Sequence, residues 1–156
     1  MCRQITRIIA ALAAAGGLAI LLPSPAWAAS RPQPASGTFR ETSVTVDSTR
    51  VVKATTILVI TVSGITTGTV NGPFTETDTV VIKPDGSVTL AGIGTQSGTL
   101  GTCGTGSDPY VTEAQGTASA RSGHLLAIGQ IGGASLSFTV NAVTGVGTYV
   151  GTYHCT

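Results

Sequence analysis

Two acidic residues stand two apart in a run otherwise suited to a strand. Glu76 and Asp78 alternate with Thr75, Thr77 and Thr79, between Phe74 on one side and Val80 on the other. On a regular strand Glu76 and Asp78 share a face with Phe74, Val80 and Ile82. If that face lines an interior, two carboxyl groups meet in a low dielectric. One of them then holds its proton to higher pH, which makes a proton-handling pair. If the strand end is solvated, or a bulge exchanges the faces, the same residues are ordinary surface acids. Arg40, Arg50 and Arg121 are candidate cations to pair with them.

Other chemistry-bearing residues are sparse. His124 follows Ser122-Gly123 and opens the apolar run Leu125–Ile128, as a polar strand-end residue does. His154 lies between Tyr153 and Cys155 and reads as structural or solvated. Asp108 and Glu113 flank Pro109-Tyr110 and are expected in a surface loop, without the spacing of a calcium-binding loop. Two histidines in the whole chain preclude a three-histidine zinc site. Phosphate-binding and dinucleotide-binding glycine patterns and the His-Glu-x-x-His motif are absent. The serine of Gly94-Thr95-Gln96-Ser97-Gly98 is one place late for a nucleophile elbow. No cofactor and no metal are expected.

Strands carry these residues. The 156-residue chain is 42% hydrophobic and 10% charged, with 21 glycines and a net charge of +1. This is too apolar for a disordered chain, and it lacks the basic blocks of a nucleic-acid or anionic-membrane surface. Thr, Val, Ile and Gly dominate beyond Gly37, and the period is two. Strands are expected near 38–47, 54–63, 65–70, 74–82, 87–94, 96–102, 110–120, 124–131, 135–141 and 146–154. Lys83-Pro84-Asp85-Gly86 predicts a hairpin joining Val80–Ile82 to Ser87–Leu90. Glycines scattered inside strands favour a coiled, closed sheet. The expected fold is therefore all-β, a small closed antiparallel β-barrel of about eight strands, with a β-sandwich as the alternative.

The amino terminus follows export grammar. Arg3 and Arg7 precede the uncharged apolar run Ile8–Leu22, then Pro23-Ser24-Pro25 and Ala26-Trp27-Ala28. This predicts a signal peptide over residues 1–28, cut between Ala28 and Ala29. The apolar run is shorter than the ~20 residues a spanning helix needs, so no membrane span is expected in the mature chain. Residues 29–36 then form an extended leader, and 37–156 a single domain that is secreted into the extracellular space. The mature chain carries six Lys and Arg against seven Asp and Glu, and keeps only Cys103 and Cys155. In an oxidising compartment that pair is expected to form a disulfide.

Several stretches resemble a family of exported bacterial proteins placed with the allene oxide cyclase-like and dirigent-like β-barrels. They are Ser36-Gly37-Thr38-Phe39, Ile65 to Asp78, Pro84-Asp85-Gly86-Ser87 and Gly145 to Gly151. The resemblance covers nearly the whole mature chain and implies an eight-stranded antiparallel barrel. It carries no catalytic residues across. Three functions compete. The first is a non-catalytic exported barrel that binds a small apolar molecule or a partner surface. The second is a cyclase- or isomerase-like barrel enzyme using an inward-facing Glu76/Asp78 pair. The third is a structural envelope or matrix protein.

Overall fold

Period-two alternation carries through the molecule. The computed structural model describes residues 31–156. The expected signal peptide, with its boundary at Ala28 and Ala29, lies outside the described residues. Eight strands follow in chain order: β1 Gln33–Val52, β2 Thr55–Gly68, β3 Val70–Ile82, β4 Ser87–Leu100, β5 Thr105–Thr117, β6 Ala120–Ile128, β7 Gly132–Asn141 and β8 Val146–Cys155. Each pairs antiparallel with the next, and β8 returns to β1, closing a barrel. Closure leaves one apolar interior and excludes the sandwich alternative. The described residues contain no helix long and apolar enough to cross a membrane.

Ten expected runs become eight strands because two of the expected breaks, beside Gly64 and Gly94, lie inside strands. Gly64 faces inward beneath the Phe74 ring, so the runs near 54–63 and 65–70 join in one strand, which ends at Gly68. Gly94 faces inward beneath the Tyr110 ring, so the runs near 87–94 and 96–102 merge as well. At both places a Cβ would collide with the ring. The glycines make room for an aromatic side chain rather than for a turn.

β1 is longer than expected at both ends. It begins at Gln33, inside the stretch read as a leader; Gln33–Ser36 pair with β8, and Ala35 is buried. At the other end it runs to Val52 and turns through Lys53 and Ala54, both at positive φ (48° and 64°). Two left-handed residues make the tight turn that matches strand twist. Lys and Ala are not the residues that advertise it, which is why the sequence places no turn there. The β1–β8 ladder ends at Arg40–Val146, and beyond it β1 runs beside β2 alone. Bulges between Glu41 and Ser43 and between Val46 and Ser48 bend this overhang. Val44 and Val46 stay about half exposed there, although they sit opposite the buried Val62 and Ile60.

Two apolar clusters fill the barrel. One gathers Val70, Leu100, Leu136, Tyr149 and Tyr153. The other gathers Ile60, Val62, Phe74, Val80, Val88 and Tyr110. Phe39 touches both, edge-on to Phe74 (ring centroids 6.4 Å apart) and to Phe138 (6.0 Å). The Tyr149 hydroxyl fastens the β2–β3 corner: it takes the Val70 N–H at 2.9 Å and lies 3.1 Å from the Thr67 and Val70 carbonyls. Cys103 and Cys155 form a disulfide with Cα atoms 5.0 Å apart, tying the β4–β5 turn to the end of β8.

The β3–β4 hairpin is the one expected. The Gly86 N–H donates to the Lys83 carbonyl at 3.0 Å, and Asp85 Oδ1 accepts from the Ser87 N–H at 2.9 Å and hydroxyl at 2.7 Å. Gly86 has a φ of 82° and open space around it, so only its backbone constrains the residue there. Pro84→Ala is expected to cost well under ~1 kcal/mol, because other residues adopt the φ that proline presets. Gly86→Val should cost about 1–3 kcal/mol through the left-handed backbone alone. Chemical denaturation of the two variants checks this; equal losses would refute the turn geometry.

Candidate functional site

The inner face of β3 carries Phe74, Glu76, Asp78 and Val80, as the alternation of its burial shows. Ladder register sets their neighbours. Asp78 lies opposite Ile60 on β2 and Gly92 on β4, and Glu76 opposite Val62 and Gly94. Gly92 and Gly94 face inward and supply the room. A Cβ at Gly92 would strike Asp78 Oδ1, and one at Gly94 would strike Tyr110 and press on Glu76. The short sequence Gly92-Ile93-Gly94 therefore turns its empty positions toward the acids and its isoleucine toward solvent.

These groups border an internal cavity of about 200 Å³. Its wall is largely apolar, with Phe39, Phe74, Leu125 and Phe138 among the lining side chains. Its polar margin holds Glu41 from β1, Glu76 and Asp78 from β3, Tyr110 and Thr112 from β5 and Arg121 from β6. Asp78 is 1% exposed, and its Oδ1 has no hydrogen-bond partner among the described residues. The Arg121 Nε is likewise buried without one.

Electrostatics follow from this placement. Burial pushes the Asp78 carboxyl up from 3.8 to about 8, reinforced by the Glu76 charge, a hydrogen bond to Glu76 and the Glu41 charge, against a smaller opposing pull from Arg121. At neutral pH Asp78 thus keeps its proton, which it donates to Glu76. Burial raises the Tyr110 phenol well above its usual range, helped by the Glu76 charge and by its hydrogen bond to Glu76. Burial also raises Glu41, with Arg121 lowering it and Glu76 adding to the rise. The arrangement is a buried acid packed over Gly92 at the margin of an apolar chamber, beside a second carboxyl group and able to release one proton.

Of the residues singled out from sequence, Glu76 and Asp78 come together at the lumen. Of the three arginines Arg121 joins them, while Arg40 and Arg50 are exposed. His124 and Glu113 face each other on the outer surface, with His124 Nδ1 at 3.1 Å from the Ser137 hydroxyl. His154 is exposed on β8. Asp108 is not in a surface loop. It lies on the inner face of β5, 5% exposed, and its Oδ1 accepts from the Gln130 N–H at 2.7 Å, holding the β6–β7 connection. The alternation of β5 turns Asp108, Tyr110 and Thr112 inward together. Sequence reasoning missed Glu41, Tyr110 and Thr112. The signal for Glu41 was its spacing of two from Phe39; for the others it was the glycine pair at 92 and 94. No group of three acidic, histidine or cysteine side chains among the described residues could hold a metal ion.

Comparison of the chain with protein-family models, with curated proteins and with solved structures gave no match.

Proposed function

We propose that this is an exported barrel whose lumen binds one small, largely apolar molecule bearing a single polar group. The observation that carries the reading is the lumen itself: an apolar cavity of about 200 Å³ with a buried, unpartnered carboxyl oxygen at its margin. A dry cavity of ~150 Å³ in another protein holds benzene, so this one suits a single six-membered ring with a short arm. Apolar walls with few polar groups are the usual make-up of such sites. The disulfide supports export. The closed eight-stranded sheet supports placing the chain with the allene oxide cyclase-like and dirigent-like barrels.

The test uses the disulfide-bonded protein and two uncharged probes, toluene and benzyl alcohol. The melting temperature should rise with probe concentration and saturate, as ligand linkage requires. Nuclear Overhauser contacts should run from the probe to Phe39, Leu125 and Phe138. No thermal shift with either probe, or contacts confined to the outer surface, would overturn the reading.

A second reading is favoured by one observation, the fully buried Asp78 carboxyl next to Glu76 at the cavity margin, where burial pushes it up to about 8. A carboxylic acid that is neutral near pH 7 can act as a general acid on a bound molecule, as in a cyclase- or isomerase-like barrel. It predicts that solvent deuterium enters a carbonyl compound held in the lumen; a compound recovered unlabelled counts against it.

A further inference from the structure

The lumen's charged groups are unbalanced in number. Among the described residues, Glu41, Glu76, Asp78 and Asp108 line it against the single cation Arg121. Asp108 is already committed to the β6–β7 connection through backbone N–H groups. The other three gather at one margin, and Asp78 among them is buried with an oxygen that no described group satisfies. An orphaned acceptor of this kind is costly, and a ligand that donates to it removes the cost.

The groups facing Asp78 come from several elements. Glu41 on β1, Glu76 beside it on β3, Tyr110 on β5 and Arg121 on β6 are the charged or titratable ones. The positions directly opposite on β2 and β4 are Ile60 and Gly92, which carry no charge. Tyr110 is turned toward Glu76 and does not partner Asp78 Oδ1. An anionic head would meet three carboxyl groups for one guanidinium. A neutral hydroxyl would satisfy Oδ1 and leave the charge as it is. An ammonium supplies donors and positive charge together.

Resting on the lumen-binding reading, we propose that the ligand is a hydrophobic amine: a ring-sized apolar body carrying one ammonium group, whose N–H groups donate to the carboxyl groups of Asp78 and Glu76. Aromatic walls suit such a cation as well as its apolar body. Binding proceeds as an exchange. The ammonium enters, the Asp78 O–H gives its proton to solvent, and the ammonium takes the place of that proton between the carboxyl groups. Ligand binding therefore releases a proton. Affinity rises with pH until Asp78 is ionised in the free protein, near pH 8.

Isothermal titration with benzylamine, benzyl alcohol and benzoate, in buffers of different ionisation enthalpy, tests this. Benzylamine should bind at least ~10-fold more tightly than benzyl alcohol at about pH 8, benzoate should not bind, and the benzylamine heat should vary with buffer as proton release demands. Asp78→Asn, which keeps the shape of the protonated acid but cannot ionise, should abolish both the benzylamine preference and the buffer dependence. Buffer dependence is read on the unaltered protein, so the test stands even if that variant does not fold. Equal binding of benzyl alcohol and benzylamine, preferred binding of benzoate, or a benzylamine heat that does not change with buffer would overturn the amine assignment and leave the lumen site standing. Failure of all three probes would remove the lumen site itself.

Discussion

Between about pH 4 and pH 8 the protein loses stability as the solution becomes more alkaline, and Asp78→Asn removes most of that loss. The unfolded chain ionises Asp78 near 3.8, whereas the folded chain holds its proton to about 8. Across that window the native state binds more protons, so stability falls with rising pH and levels off above it. Glu41, raised by burial, adds in the same direction. Asp85 works oppositely: hydrogen bonds from Ser87 hold its carboxyl below 3.8, so its contribution is present at neutral pH and fades only in acid. Asp85 is exposed, and Asp78 dominates. One pKa unit corresponds to about 1.4 kcal/mol, so the pH-dependent part is on the order of several kcal/mol. The asparagine amide can donate to Glu76 as the protonated acid does, but it cannot ionise. Denaturant unfolding at intervals across the window measures both proteins. A profile for the unaltered protein that is flat or rises with pH would show that Asp78 is not buried as an acid.

Reduction of the Cys103–Cys155 bridge should cost roughly 4 kcal/mol, the chain-entropy estimate for a closed loop of this length. Its sequence separation is 52. The melting temperature should fall by many degrees while the β-rich circular dichroism persists, because the ladders from β1 to β8 do not depend on the bridge. The bridge ties the β4–β5 turn to the last residues of β8, so amides at the end of β8 should lose exchange protection first. An unchanged melting temperature on reduction, or two free thiols in protein recovered from outside the cell, would contradict it.

These effects were legible in the sequence to different depths. Asp85 and the hairpin around it could be read directly, because a tight turn is a property of four adjacent residues. The disulfide followed from there being two cysteines beyond the expected cleavage site. The pairing of Glu76 with Asp78 on one face followed from strand alternation, which is local and needs no partner. What alternation could not decide was which face lay inside. Closure decides that, since β3 must turn Phe74 and Val80 toward the same interior that receives Tyr110, Tyr149 and Phe138. The turn at Lys53–Ala54 was hidden for a similar reason. Those residues have no preference for the left-handed region, and the β1–β2 ladder holds them there.

A strand-built chain, its strongest turn, its cross-link and one acidic pair on one strand face could all be read from the order of residues. The closed barrel is what buries this pair, brings Glu41, Tyr110 and Arg121 to it from three other strands, and sets Gly92 and Gly94 where they leave it room. Alternation acts between neighbours in the chain. The proton on Asp78 depends instead on groups brought together around the barrel, where each ladder's register sets which side chains share a level of the lumen.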